Sequence, residues 1–446
     1  MTYRAADLLG EVNPLAEHYG HFRVRERTLL SGHSHQAWPD CGLEAQQRAW
    51  LDAAEHVDDK WERAFAAAGK IRAGYRRLLD DPSGLYSLAA STHDLMVKLL
   101  SALPLAARPR FVTTDGEFHS MRRQFDRLAE EGIEIVRVPA LPAATVGERL
   151  AAAVDERTAA VFTSTVFFGN AHLAGDLTPA AAACRRHGAI LVLDVYHQLN
   201  AVPFSLADRD LLDAYVTSAG YKYCQLGEGN AFLRFPADCR LRPVATGWFA
   251  EFGSLTAPQP GGRVGYSVAD DRFGGATYDP TSHYRGAAVF DFFAAHGLDA
   301  QLLRTVSQAQ VGLLCEGFDA LDLDPQWIRR DRSVGLAQLG GFLALTSPWA
   351  GALCRRLKTR GVWSDYRDRV LRLGPAPYLS GRQIRGHPLG GEPLRLQARQ
   401  QQPVVLARVG EAVGSVVLRR FLVGGDHVVA FRGGAQEVGD IVHHHA

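Results

Sequence analysis

Between about residues 85 and 235 the chain alternates short, nearly all-apolar runs with amphipathic helical stretches, a pattern that few folds tolerate. The runs lie at 110–114, 133–138, 159–165, 189–195, 214–218 and 230–235, and helical periodicity fills 119–131 and 178–187. A strand apolar on every residue, rather than every second one, must be covered on both faces. The pattern therefore predicts an α/β fold with a mostly parallel sheet between two helix layers. Ligands in such sheets bind beyond the carboxyl ends of the strands, so chemistry is expected there.

The rest of the chain bounds the answer. A length of 446 residues suits a large domain plus a smaller one. Lys and Arg number 49 against 48 Asp and Glu, so no global field points to nucleic acid or a membrane surface. No apolar run approaches the roughly 20 residues needed to cross a bilayer. The first residues, Met1 to Asp7, lack the apolar stretch of a secretory signal. Six scattered cysteines without a C-x-x-C pair suit reduced thiols, so a cytoplasmic enzyme without a metal is expected. Helical periodicity runs through 40–80, with Trp61, Phe65, Ile71 and Leu78 on one face. Gly and Pro enrich 252–283, which reads as a long loop before a helix at 284–298. A second αβ region follows at 300–380, and short alternating strands are expected at 415–423 and 427–431. The expected division is an N-terminal segment 1–60 joining the small domain, a large domain 61–290, a small domain 291–383 and an extension 384–446.

Four segments carry the candidate chemistry, three at strand ends and one at a helix start. The run 214–218 leads through Gly220 to Lys222, set between Tyr221 and Tyr223. The run 189–195 contains Asp194 and is followed by His197. An acid at a buried strand end is costly unless paired. A lysine able to form an imine, with an acid able to pair a pyridinium nitrogen, is the minimum equipment of pyridoxal-phosphate (PLP) chemistry. Ser91 and Thr92 open a helix whose free N–H groups suit a phosphate, although an ordinary capped helix reads the same way. Phe118 follows the 110–114 strand and could stack on a flat ring or simply cap the sheet. His197 is equally readable as a packed core histidine.

These segments, in this order, resemble the kynureninases and kynureninase-like enzymes of the class V aminotransferase superfamily. The matching stretches include Leu29-Leu-Ser-Gly-His-Ser, Ser91-Thr92, Glu117-Phe118, Asp194-Val-Tyr-His197, Tyr221-Lys222-Tyr223, Gly247-Trp248-Phe249, and Gly361-Val-Trp-Ser-Asp with Val370-Leu-Arg372-Leu-Gly-Pro. The resemblance implies the PLP-dependent transferase fold of aspartate aminotransferase type, with a seven-stranded sheet. It implies that Lys222 binds PLP, that Asp194 pairs with the pyridine nitrogen, and that Phe118 stacks on the ring with His197 near its 3′-oxygen. Ser91, Thr92 and Tyr221 would hold the phosphate, and Tyr221 would also relay a proton. Trp248 and Thr277 would reach the phosphate from the partner subunit of a homodimer. Arg372 would clamp the substrate carboxylate, with His33 and Ser34 on the substrate side. The implied reaction is hydrolytic Cβ–Cγ cleavage of kynurenine or a related β-acyl amino acid, giving alanine and an aryl acid. The alternatives are a β-lyase or desulfurase, or an aminotransferase. Three places depart from the family pattern: Cys224-Gln225 after the lysine, Phe167-Phe-Gly-Asn170-Ala-His172, and Met121 where an Asp is usual.

Overall fold

The computed structural model describes residues 2–255 and 261–386. Its centre is a seven-stranded sheet in the order Leu85–Ala89, Ala231–Phe235, Tyr215–Ala219, Ile190–Asp194, Thr158–Ser164, Arg110–Thr114, Glu134–Val138. Only Ala231–Phe235 runs against its neighbours; every other pairing is parallel. The six expected strands fall within one residue of the sequence reading at each end. Leu85–Ala89 is the strand that reading lacked, because LYSLA is no more apolar than a helix start.

Both faces of the sheet are buried, as continuous apolar runs require. Val161, Leu193 and Val216 join one core with Ile71 and Tyr75 of the Lys60–Leu78 helix and Ala180, Ala181 and Cys184 of the Thr178–His187 helix. Phe162, Val192 and Leu233 point the other way, onto Leu95 and Leu99 of the Thr92–Ser101 helix and Phe125 of the His119–Glu130 helix. The alternation is the period of two of a pleated strand. Each fully buried Val, Leu, Ile or Phe among these contributes roughly 1.5–3 kcal/mol.

Helical periodicity over 40–80 resolves into two helices, Cys41–His56 and Lys60–Leu78, broken at Val57 with φ 49°. A β-branched residue in the left-handed region cannot continue a helix. The loop expected at 252–283 includes a short 3-10 turn, Asp270–Phe273, and the helix after it begins earlier than expected, at Thr281–His296. A smaller antiparallel sheet orders Asp365–Arg367, Val370–Leu373, Leu343–Thr346 and Arg329–Arg330. Thr28–Leu29 pairs in parallel with Val362–Trp363, so an N-terminal segment is stitched beside this second sheet. The strands expected at 415–423 and 427–431, and nearly all of the 384–446 extension, lie outside the described residues. No helix among the described residues is long and apolar enough to cross a membrane.

Candidate active site

The carboxyl ends of four parallel strands converge on one cavity of about 300 Å³. Its wall includes Ser164, Asp194, Ala219 and Lys222, each at or just past a strand end, with Ser91, Thr92 and His93 of the helix that follows Leu85–Ala89. Phe118, Met121 and Phe168 supply an apolar side.

Lys222 is placed there by a tight turn. Residue 220 must be glycine, because a Cβ on it would stand 2.4 Å from Leu226 and 2.8 Å from the Tyr75 hydroxyl. Two residues past the lysine's neighbour Tyr223, Gln225 adopts φ 60°, a left-handed conformation that costs a non-glycine residue. Its side chain is fixed at both ends: the amide donates to Gln36 at 2.8 Å and the carbonyl accepts from Tyr19 at 2.5 Å. Backbone strain next to the lysine is thus held by buried side-chain bonds.

The Lys222 amine lies 2.8 Å from His197 Nε2 and is ringed by aromatic faces. The ring centres of Tyr196, Phe118 and Tyr221 are 5.0, 5.7 and 5.9 Å from Nζ. Burial lowers its pKa to about 7, opposed by the nearby Asp194 carboxylate. Burial also drives His197 well below its ordinary value, with Lys222 adding to the effect. His197 is therefore neutral and shares a hydrogen bond with the amine, while its Nδ1 is buried without a partner. Asp194 accepts one N–H, from Tyr196 at 2.9 Å. Burial raises its carboxyl pKa, and the Tyr196 amide and Lys222 charge only partly offset that.

The start of the Thr92–Ser101 helix faces the same space. Ser91 caps it by accepting from the Asp94 amide at 3.2 Å, and Thr92 shares a 2.5 Å hydrogen bond with the Tyr196 hydroxyl. Tyr196 and Ser164 were not singled out by sequence reasoning. Ser164 had a signal, since it ends a strand beside Asp194; Tyr196 had only its place between Asp194 and His197. Behind Ser164 sits Glu117, accepting from the Ser164 hydroxyl at 2.7 Å, the Ser164 amide at 3.1 Å and Thr114 at 2.6 Å. Burial raises Glu117 to about 7 despite those bonds.

The remaining candidates are placed differently. His33 is fully buried, with Nε2 2.7 Å from Asp365. Arg372 gives Nε and Nη2 to the two oxygens of Asp365, at 2.9 and 2.5 Å, and Nη1 to the Phe168 carbonyl at 2.9 Å. The guanidinium expected to clamp a substrate is thus already in a two-point pair with the chain's own carboxylate. Ser34 bonds to His35, and it is His35 that stacks on Tyr221, with ring centres 5.1 Å apart. Trp248 is 45% exposed and packs on Phe249 and Phe252. Thr277 is exposed as well, and neither residue lines the Lys222 cavity of its own chain.

The sheet order and the crossing helices are those of the PLP-dependent transferase fold of aspartate aminotransferase type. The chain is similar over most of its length to solved structures of that fold. A variant of C-DES with glycine covalently linked to its PLP cofactor is 17% identical, with a TM-score of 0.69 over 82% of this chain and 95% of that one. A second structure describes C-DES as a cystine C–S lyase in complex with its product cysteine persulfide, at 18% identity and a TM-score of 0.66 over 79% and 94%. The cysteine desulfurase CsdA of Escherichia coli is 16% identical, with a TM-score of 0.63 over 80% and 94%. No protein-family model and no curated protein matches the chain.

Proposed function

We propose that this chain is a PLP-dependent enzyme that breaks a bond at Cβ of an α-amino acid, as a β-lyase. The observation that carries this reading is the Lys222 amine, 2.8 Å from His197, in one cavity with Asp194 and the start of the Thr92–Ser101 helix. The residues fit the cofactor. Asp194 is a deep acid with a single amide partner and a raised pKa, as a site awaiting a cationic ring nitrogen requires. The amides at the helix start suit a phosphate, Phe118 offers a face to a planar ring, and His197 stands at the amine. Bound PLP supplies an electron sink for charge developing at Cα.

The chain's own groups do the rest. With its pKa lowered to about 7, Lys222 is largely a neutral amine at pH 8, able to hold an aldehyde and then to carry a proton at Nζ. His197, held neutral, orients that amine without competing for its charge. The three surrounding rings exclude water from it.

None of the six cysteines lines the cavity, and burial pushes the thiol of Cys224, the one next to the lysine turn, upward. A desulfurase needs an acceptor thiol, so a lyase that releases its sulfur product is the better match to these residues. A second reading, kynureninase-like Cβ–Cγ hydrolysis, is favoured by Phe118 and Phe168 of the cavity wall, whose rings meet edge to face at 5.3 Å and suit a flat aryl group. Incubation with L-cystine and with kynurenine tests both. Pyruvate from cystine is expected; alanine with anthranilate from kynurenine would move the assignment to the second reading. Lys222→Ala is expected to abolish the visible band of the loaded protein and its covalent labelling by PLP and borohydride, and retention of both would sink the assignment of the imine to Lys222.

A further inference from the structure

We propose that Glu117 is a positioning residue of the Lys222 cavity: acting through Ser164, its proton decides whether the wall beside Asp194 offers a hydrogen-bond acceptor or a donor. Its effect on a bound cofactor rests on the reading that this cavity takes PLP.

The two oxygens of Glu117 are not equivalent. Oε1 accepts from the Thr114 hydroxyl at 2.6 Å and from the Ser164 amide at 3.1 Å, so both of its lone pairs are directed at donors. Oε2 accepts from the Ser164 hydroxyl at 2.7 Å. Glu117 is buried, and the charged group that bears on it is Asp194, one strand beyond Ser164, which disfavours a second negative charge. Its hydrogen-bonding partners Thr114 and Ser164 do not titrate. On its own segment the titratable neighbours are Asp115, which accepts from the Ala140 amide at 2.7 Å, and His119, whose ring meets Phe118 and Phe168.

A carboxylate can only accept, so while Glu117 is ionised the single hydroxyl proton of Ser164 is committed to it. Ser164 lines the cavity and pairs in register with Asp194, and its hydroxyl has lone pairs left to offer a ligand donor. When Glu117 takes up a proton, Oε2 is the oxygen with room for it, and Ser164 Oγ is the acceptor already in place. The bond then reverses: Oε2–H donates to Ser164, and the Ser164 proton must turn elsewhere, toward the cavity. Thr114 is less suited to accept, because its oxygen already takes the Gly116 amide at 3.2 Å and faces the filled Oε1. One proton gained by Glu117 therefore becomes one donor gained by the cavity wall, and no heavy atom has to move. Burial pushes the acid up to about 7, so both arrangements are populated near neutral pH.

The test titrates the visible band of the PLP-loaded protein between about pH 5.5 and 8.5. Wild type should show a component of the spectral change centred at about 7, and Glu117→Gln should lose it. Ser164→Ala should lose the same component, while its infrared difference spectrum still shows the ionisation of a carboxylic acid that Glu117→Gln lacks. Ser164→Thr, which keeps a hydroxyl, should retain the component. Ser164→Cys, with only a weak thiol donor, should shrink it and serves where Ser164→Ala does not fold. A component that persists in Glu117→Gln or in Ser164→Ala, or that wild type lacks, would overturn the proposal. Absence of any visible band in wild type with PLP would instead overturn the cofactor reading, and this role with it.

Discussion

Two titrating groups near neutrality set the behaviour of single residues in this site. Lys222 is lowered by burial to about 7, so its neutral, nucleophilic form grows as pH rises through that value. The rate at which apoprotein captures PLP, followed by stopped-flow absorbance, is expected to rise across roughly pH 6 to 8 and then level off. Glu117 shifts the other way, up to about 7, so the folded state binds its proton more tightly than the unfolded chain between about 4.5 and 7. Stability from this group is present at low pH and is lost as pH rises through 7. Glu117→Gln should therefore gain stability over wild type at pH 8 relative to pH 5, by on the order of 2–3 kcal/mol at most; urea denaturation of apoprotein at both values measures it. Lys222 and Asp194 were legible in the sequence because each closes an apolar run. Glu117 stood in a matching segment, but its role depends on Ser164 of another strand, which no local pattern reveals.

Among the elements, the antiparallel strand Ala231–Phe235 holds the most consequential polar contact. Arg234 and Asp81 are both fully buried and pair at 2.8 and 3.0 Å, while Arg234 also donates to the carbonyls of Leu212 and Ala214. One side chain thus ties three segments together under the strand that leads to Lys222. Arg234→Met should cost about 3–5 kcal/mol, because it strands Asp81 as a buried charge; a shift of the urea midpoint with unchanged slope is the expected readout. The strands themselves were readable from apolar runs. Their partners were not: period-two burial says which face is covered, not that Ala231–Phe235 inserts antiparallel beside Leu85–Ala89.

At the scale of the whole molecule, the cofactor and the chain should stabilise each other. A ligand that binds only the folded state adds about 2.7 kcal/mol at a hundredfold excess over its Kd. Thermal unfolding should therefore move upward on adding PLP and move less in Lys222→Ala; equal shifts would mean that the lysine is not the anchor. The N-terminal segment takes part in the same assembly. Asn13 donates to the carbonyls of Pro377 and Leu379, and Thr28–Leu29 pairs with Val362–Trp363, so the N-terminal segment packs against residues 362–379 beside the second sheet.

The order of apolar runs was enough to establish a covered, mostly parallel sheet and to direct attention to its strand ends, since burial on both faces demands that composition. Which charges would meet across the molecule was decided only in three dimensions. Arg372, just before Gly-Pro, reads as a substrate clamp from the sequence, but that Asp365 stands opposite it across two antiparallel strands and pairs with it is visible only in the fold. Electrostatic pairing depends on distances of a few ångströms between residues far apart in the chain, or turned toward one another by register, and linear spacing carries neither.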